Sequence, residues 1–196
     1  MIDFEKLRAV YQLGRELSFS DIQVVLRSAR LRSFERGDCL IREGERRKEV
    51  FLIRKGLVRL YRITDRGDEI TTAVRWENKV VASPYLILFD QPAQQYFEAL
   101  EPTDTFCIDY DKLQSIVESH PKLEASRKYV FHNILKEALQ RIDSFVLLTP
   151  EERYLNFVQS VPDITNRVPD KYLANILGIT PVSLSRIRKR IAERKK

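Results

Sequence analysis

The residues best suited to chemistry lie near the end of the chain, in the stretch LANILGITPVSLSRIRKRI at positions 173–191. Its second half combines hydroxyl side chains with closely spaced guanidinium and ammonium groups. A guanidinium can donate two parallel hydrogen bonds to the acceptor edge of guanine, and both cationic groups can neutralise phosphates. Base edges and phosphates are therefore the chemical partners that these residue types predict.

Two short helices joined by a tight turn would position these side chains. Gly178 falls where the chain must turn, and glycine accepts a left-handed conformation. Thr180 is expected to cap the second helix, and Pro181 suits its first turn. The spacing of the small, glycine and aliphatic positions is typical of a helix-turn-helix. Its predicted inward-facing residues are Leu173, Ala174, Ile176, Leu177, Ile179, Leu184, Ile187 and Ile191.

The second helix is expected to lie in the major groove of double-stranded DNA. We expect Arg186 to recognise guanine, and Arg188, Arg190, Lys195 and Lys196 to neutralise phosphates. The alternative is a helical hairpin with a solvated basic face. The predicted DNA-binding residues are Thr180, Pro181, Val182, Ser183, Ser185, Arg186, Lys189 and Arg190.

The positive charge of the chain is concentrated in the same segment. Residues 169–196 hold eight Lys or Arg and two Asp or Glu, which leaves 26 of the 34 basic and 26 of the 28 acidic residues elsewhere. The formal net charge of +6 therefore belongs to this segment. The asymmetry favours a polyanionic partner, although a solvated basic tail would have the same composition.

A long helix is predicted at residues 121–148. Five of its apolar residues follow the 4-3-4-3 spacing of a heptad seam, which favours a homodimer over an amphipathic helix packed within one chain. Val130 and Ile134 form a second stripe that could rest on a preceding β domain. Thr149, Pro150 and Glu152 predict a new capped helix after a hinge. The predicted dimer-interface residues are Phe131, Leu135, Ala138, Ile142 and Phe145.

The first part of the chain predicts a helix followed by a β-rich region. Residues 3–30 show helical spacing, with a start signal at Ser20 and Asp21. From Leu31 onward, short β-rich runs are separated by glycines, as in a barrel or β-roll. Hairpin turns are predicted at Lys55-Gly56 and at Arg66-Gly67. Residues 80–110 predict a short apolar helix and two further strands.

The composition excludes several classes of function. Two cysteines, Cys39 and Cys107, are too few for a four-thiolate cluster, and we expect them to be reduced packing residues. With two histidines, the chain offers neither a metal-ligand cluster on strands nor a catalytic triad, so we predict no catalytic residue, no metal site and no enzyme. Without a bilayer-length apolar run or a signal core, the expected location is the cytoplasm, with no membrane partner.

Taken together, the residues from about 20 to 191 resemble the Crp/Fnr family of bacterial transcription regulators. The stretches ERGDCLIREGE, FLIRKGLVRLYR and DRGDEITT, the long helix and the helix-turn-helix carry the resemblance. It implies an α+β fold with an antiparallel, jelly-roll-like β-roll of the cyclic-nucleotide-binding type at residues 1–120. A dimerisation helix at 121–148 and a winged-helix-like helix-turn-helix domain at 149–196 would follow. The segment between Pro162 and Pro169 is short for the hairpin wing that many relatives carry.

The function implied is that of a homodimeric DNA-binding transcription regulator, which would bind half-sites ~34 Å apart. RNA polymerase and an unidentified small-molecule effector are further candidate partners. The alternative is an effector-sensing module that acts through a protein partner and binds no specific DNA. Haem sensing through His120, His132 or Cys107 stays open, although single residues of this kind are usually structural.

The chain departs from the family pattern where nucleotide binders hold the cyclic phosphate. That cassette is Gly-Glu, a short helix, and an arginine followed by Ser or Ala. Here the Gly-Glu position reads Ala82-Ser83, and Pro84 has no N–H to donate. The arginine position falls near Gln94, Gln95 and Tyr96, so the cationic partner for a phosphate is missing. We therefore assign no cofactor from the sequence, and we do not expect cyclic AMP to bind in the conventional manner. Arg59, Arg62 and Arg75 could hold another anion, but a solvated strand face is the favoured interpretation. The candidate effector-pocket residues are Arg59, Arg75, Ala82, Ser83, Gln95 and Tyr96.

Overall fold

The computed structural model of the chain describes residues 19–161 and 163–194, which form two four-stranded sheets and a series of helices. The strands are β1 (Arg30–Phe34), β2 (Cys39–Ile41), β3 (Glu49–Lys55), β4 (Val58–Ile63), β5 (Glu69–Arg75), β6 (Val80–Val81), β7 (Tyr96–Ala99) and β8 (Thr103–Asp109). The helices are α1 (Phe19–Ser28), α2 (Pro84–Phe89), α3 (Tyr110–Ser119), α4 (Pro121–Leu147), α5 (Pro150–Ser160), α6 (Ile164–Arg167), α7 (Asp170–Leu177) and α8 (Pro181–Arg194). None of these described helices is both long and apolar enough to span a bilayer.

The two sheets have the strand orders β1-β8-β3-β6 and β2-β7-β4-β5. Strand β8 pairs antiparallel with both β1 and β3, so that Cys107 lies opposite Arg30 on one side and Phe51 on the other. Inward-facing apolar residues of both sheets and of α2 form one core, because alternate strand residues point to the same face. The predicted antiparallel β-roll is thereby confirmed. Its core contains Phe34, Leu40, Ile41, Phe51, Ile53, Val58, Val81, Leu86, Ala93, Phe97, Ala99 and Cys107.

One predicted hairpin is confirmed and the other is wrong. Strands β4 and β5 are neighbours, and their turn is closed by bonds from the Thr64 amide to the Asp68 carbonyl (2.9 Å) and from the Gly67 amide to the Thr64 carbonyl (2.8 Å). Strands β3 and β4, which flank Gly56, belong to different sheets. Gly56 has a φ of +108°, and a Cβ there would stand 2.7 Å from the Cα of Thr103, so glycine lets the chain cross between sheets.

The N-terminal helix prediction is only partly testable. Residues 3–18 lie outside the described part of the chain. Helix α1 ends at Ser28 and β1 begins at Arg30, so the predicted helix extends two residues too far. Arg30 pairs with Cys107, which lies 77 positions later in the chain, and local periodicity carries no information about such a distant partner.

The chain divides into two compact units. The first contains the described residues up to Leu60 together with Val74–Leu135, and the second contains the hairpin Tyr61–Ala73 and the described residues from Lys136 onward. In the second unit, the Thr71 amide donates to Oδ1 of Asn175 at 3.2 Å. This bond attaches the hairpin to α7.

The helices of the second unit follow the sequence signals closely. Thr149 and Glu152 form the predicted capping box: the Thr149 amide donates to Oε2 of Glu152 at 2.8 Å, and the Glu152 amide donates to Oγ1 of Thr149 at 3.3 Å. Helix α6 occupies the short segment before Pro169, and no described strand follows Pro150. The core of this unit consists of Ile164, Val168, Leu173, Ala174, Ile176, Leu177, Leu184 and Ile187.

Candidate functional site

Helix α8 is held against α7 by the apolar face that the sequence predicts. Leu184 and Ile187 are buried, and Ile191 is half-buried. At the turn, Gly178 adopts the left-handed conformation with φ +67° and ψ +38°. Its amide donates to the Asn175 carbonyl at 3.0 Å, and the Ile179 amide donates to the Ala174 carbonyl at 3.0 Å. The turn therefore satisfies backbone groups at the end of α7 before α8 begins.

The hydroxyl groups at the start of α8 bond to each other. Oγ1 of Thr180 accepts the Ser183 amide at 3.1 Å and lies 3.0 Å from the Ser183 hydroxyl. Thr180 thus caps the helix as the sequence predicts. Thr180 is exposed and Ser183 is half-buried, so the first turn of α8 is fixed while its outer edge stays accessible.

The outer face of α8 consists of exposed side chains of the predicted set. Pro181, Val182, Ser185, Arg186 and Lys189 are all exposed. Among the described residues, Arg186 has no ion-pair partner, so its guanidinium is available for an external acceptor. Lys189 lies 3.9 Å from Glu193 one turn further along the helix, and such an exposed pair contributes little.

The other arginines of α8 bond to acidic residues of neighbouring helices. Nη1 of Arg188 donates to both carboxylate oxygens of Asp170, at 2.7 and 2.8 Å, and its Nε donates to the Tyr154 hydroxyl at 3.3 Å. Desolvation lowers the pKa of Arg188, but these hydrogen bonds outweigh it and raise the pKa overall. Arg188 therefore links α8 to α7 in this structure, and its expected contact with phosphate stays a prediction.

Arg190 and Arg194 both pair with Glu151, Arg190 at 3.3 Å between Nη1 and Oε2. Arg190, a predicted DNA-binding residue, is therefore directed toward the start of α5. The expected phosphate contacts Lys195 and Lys196 lie outside the described residues. In the described part of α8, Arg186 has no ion-pair partner, and Lys189 is paired only with Glu193 of the same helix.

The predicted seam of α4 carries exposed apolar side chains. Leu135 and Ile142 are 58% and 59% exposed, Ala138 is exposed, and Phe131 is half-buried. Phe145 is 41% exposed, with the guanidiniums of two arginines near its ring. In the second stripe, Val130 is half-buried but Ile134 is 48% exposed, so the structure does not bury Ile134 against the β domain. Further exposed apolar residues of α4 are Leu139, Val146 and Leu147.

The candidate effector pocket is organised around a buried ion pair. Arg59 on β4 is 2% exposed, and its Nε and Nη2 donate to Oε2 of Glu98 on β7 at 3.0 and 2.8 Å. The interpretation of Arg59 as part of a solvated strand face is therefore wrong. Arg75 is half-buried and donates to the carbonyl of Val74 at 3.0 Å. A bound anion would have to compete with Glu98 for the Arg59 charge.

The cassette positions are largely buried and poor in donors. Ser83 is 1% exposed, precedes α2, and its hydroxyl has no hydrogen-bond partner among the described residues. Ala82, Gln94, Gln95 and Tyr96 are half-buried. Ala93, next to the expected arginine position, is buried in the core, and its amide donates to the Glu45 carbonyl at 2.9 Å. None of these residues carries a positive charge that could bind a phosphate.

The two cysteines are not activated thiols. Burial raises the pKa of both the Cys39 and the Cys107 thiol, and nearby arginines only partly offset this effect. Neither side chain is therefore a thiolate at neutral pH. In the described residues, no three His, Cys, Asp or Glu side chains form a group that could hold a metal ion.

Sequence reasoning missed the acidic partners of the buried and half-buried arginines. The strand pattern gave one signal for Glu98. It lies between the inward-facing residues Phe97 and Ala99 on β7, so its side chain belongs to the other face of the strand. Asp170 and Glu151 lie in the first turns of α7 and α5, where acidic side chains interact favourably with the positive end of the helix dipole. Their pairing with arginines of α8 depends on how the helices pack and leaves no local pattern.

Comparisons with known proteins agree with this architecture. The model of the cyclic nucleotide-binding domain matches residues 31–120. The chain is 26% identical over 174 residues to the Global nitrogen regulator of Synechococcus elongatus (80% of this chain and 76% of that protein). It is 24% identical over 169 residues to the Fumarate and nitrate reduction regulatory protein of Vibrio cholerae (81% of this chain and 67% of that protein). The matched domain and the regulators to which the chain is similar support its recognition as a regulator of the Crp/Fnr type.

A solved structure shares the fold of this chain over most of its length. FixK2 from Bradyrhizobium japonicum superposes with a TM-score of 0.72 at 18% identity, over 85% of this chain and 86% of that chain. The match to the cyclic nucleotide-binding domain ends at residue 120, immediately before α4 begins at Pro121. The first compact unit continues beyond this match, to Leu135 within α4.

Proposed function

We propose that the protein is a homodimeric, DNA-binding transcription regulator of the Crp/Fnr type. The observation that carries the proposal is that the basic residues of α8 differ in their surroundings. Arg188 is bound to Asp170 and Tyr154, whereas Arg186 and Lys189 are exposed on the opposite, outward face. A helix that fixes its inward cation to a neighbouring helix and exposes its outward cations suits the major groove. The names of its relatives, which are regulators, support this function.

The proposed dimer rests on α4. A row of exposed apolar residues at heptad spacing would lose its contact with water if two copies of the helix packed side by side. A twofold axis along the paired helices would relate the two α8 helices. DNA sites with two related half-sites are therefore expected.

We propose that the β-roll does not bind cyclic AMP in the conventional manner, whether or not it responds to another ligand. Arg59, its buried cation, already has the Glu98 carboxylate as a counterion. The positions around α2 offer Ala82, Ser83, Pro84 and the core residue Ala93 where a phosphate would need N–H groups and a guanidinium. No step of the proposed function depends on a nucleotide.

The experiment that tests the function is selection of duplex DNA by the full chain, followed by binding measurements on Arg186→Ala and Arg188→Ala. Arg186→Ala should lose discrimination at about one base pair, on the order of 1–3 kcal/mol. Arg188→Ala should lower the stability of the fold but keep the sequence preference. Binding by the parent should weaken steeply as salt rises, because neutralised phosphates release counterions.

The outcomes separate the function from the assignment of its contacts. If the parent selects no sequence and binds duplexes without preference, the proposed function is wrong. If the parent selects a site and Arg186→Ala keeps the full preference, the protein is a specific DNA binder whose recognition surface lies elsewhere.

A further inference from the structure

An apolar side chain is exposed on the outer face of α8 among polar and charged neighbours. Val182 is 60% exposed. The inward face of the helix is filled by Leu184 and Ile187, which are 0% and 4% exposed. Val182 therefore contributes nothing to the core of its own unit. Its position leaves the side chain available to a partner that approaches the helix from outside.

Val182 and Arg186 lie one helical turn apart on the same face. Residues four positions apart are neighbours on a helix surface, and four residues advance about 6 Å along the axis. Successive base pairs are about 3.4 Å apart along the duplex axis. Side chains at positions 182 and 186 of a helix lying along the groove therefore reach base pairs that are at most about two steps apart.

The chemistry of valine selects one kind of base edge in the major groove. Its side chain can neither donate nor accept a hydrogen bond, so it gains nothing from the polar edges of guanine, adenine or cytosine. Thymine alone presents an apolar group there, its C5-methyl. The Ser183 hydroxyl is next along the chain, but it is half-buried and lies 3.0 Å from the oxygen of Thr180. Pro181 is also exposed, but it is five positions from Arg186, so Val182 is the exposed residue of the first turn that shares a face with Arg186.

We propose that Val182 reads the C5-methyl group of a thymine that lies within two base pairs of the guanine recognised by Arg186. The proposal rests on the proposed DNA-binding function and specifies part of its half-site. The pair of residues forms a two-part reader, in which the guanidinium selects a G·C pair and the isopropyl group selects a T·A pair. Cytosine at the thymine position would place its amino group against an apolar surface with no acceptor.

The test removes one methyl group from the DNA at a time. The full chain first selects its site from a randomised duplex library. Each conserved thymine is then replaced by deoxyuridine, which keeps every hydrogen-bonding group and lacks only the methyl. Dissociation constants are measured at one fixed salt concentration for the parent and for Val182→Ala. This variant changes an exposed position to a better helix former, so the fold is retained.

The expected result is one deoxyuridine position that weakens parent binding about fourfold, the effect of one buried methyl group. The same replacement should change binding by Val182→Ala by less than twofold, as a thermodynamic cycle requires of a direct contact. Val182→Thr, which keeps one of the two methyl groups, should retain an intermediate sensitivity. At that position, 5-methylcytosine should bind more tightly than cytosine.

Two results would overturn the inference and they are distinguishable. If the parent selects a site but no deoxyuridine replacement weakens binding, or if Val182→Ala keeps the methyl sensitivity, Val182 is not the thymine reader and the DNA-binding function stands. If no sequence is selected at all, the proposed function fails and the inference fails with it.

Discussion

The ring of Phe145 occupies the space that a side chain at Gly178 would need. A Cβ atom at position 178 would stand 2.5 Å from Cε1 of Phe145. The guanidiniums of Arg141 and Arg153 lie 5.3 and 4.8 Å from the centre of the same ring, and Nε of Arg153 donates to the Leu177 carbonyl at 3.0 Å. The last turn of α4 is thereby packed against the turn of the helix-turn-helix. Phe145, predicted only as a dimer contact, has a structural role within its own chain.

The first prediction concerns this contact. Gly178→Ala should destabilise the fold by about 2–4 kcal/mol, because the left-handed backbone costs an L-residue about 1–2 kcal/mol and the new methyl group must displace the Phe145 ring. Gly67→Ala is the matched control, since Gly67 also has a positive φ, +84°, but no described heavy atom beyond its two chain neighbours lies within 4 Å of the place that its Cβ would take. Urea unfolding of both variants measures the difference. Equal losses would show that Phe145 moves aside without cost.

The second prediction concerns the heptad seam. Ile142→Glu should convert the proposed dimer into a monomer, because the seam would have to bury a carboxylate, and leave the fold intact, because Ile142 is 59% exposed in the single chain. Gln140→Glu adds the same charge at an exposed polar position of α4 and should leave the dimer unchanged. Sedimentation velocity measures the association state, and circular dichroism measures helix content. A dimer that persists in Ile142→Glu would place the interface elsewhere.

The third prediction concerns cyclic nucleotides. A ligand that binds only the folded state stabilises it by ~2.7 kcal/mol at 100 times its dissociation constant. Thermal unfolding with cyclic AMP or cyclic GMP should show no shift, because Glu98 neutralises Arg59 and the positions around Ser83 offer no cation. A clear upward shift with cyclic AMP would mean that this domain holds the phosphate in another way and switches conventionally.

The elements of the fold were predictable where a signal is local. The capping box at Thr149 and Glu152, the Gly67 hairpin and the α8 burial pattern each depend on residues within about one turn or hairpin of one another. The Gly56 connection was not predictable in the same way. A glycine between two apolar runs fits a hairpin and a crossing between sheets equally well, and the contact with Thr103 that decides between them lies 47 positions away.

The same distinction between local signals and distant contacts holds for the candidate site. The outward residues Val182, Arg186 and Lys189 follow from helical periodicity, and the structure shows them exposed. The roles of Arg188 and Arg59 do not follow from it. Both arginines depend on a carboxylate from another element, Asp170 for Arg188 and Glu98 for Arg59. Counting charges in the sequence therefore overestimates the cations that are free to meet DNA or an anion.

The last prediction concerns the pH dependence of the α5 cap. Hydrogen bonds from the backbone amide and then from the hydroxyl of Thr149 lower the pKa of Glu152 below its ordinary value of 4.5. A carboxyl whose pKa is lower in the folded state than in the unfolded state stabilises the fold above the unfolded value, and this stabilisation is lost as pH falls through the folded value. Glu152→Gln should therefore be less stable than the parent at pH 7, and the difference should shrink below pH 4.5. Thr149→Ala, which removes the cap itself, should cost about 1 kcal/mol at neutral pH. Urea unfolding of the parent and both variants between pH 7 and pH 3 measures these differences, and a gap between parent and Glu152→Gln that stays constant across this range would show that the Glu152 charge does not contribute to the cap.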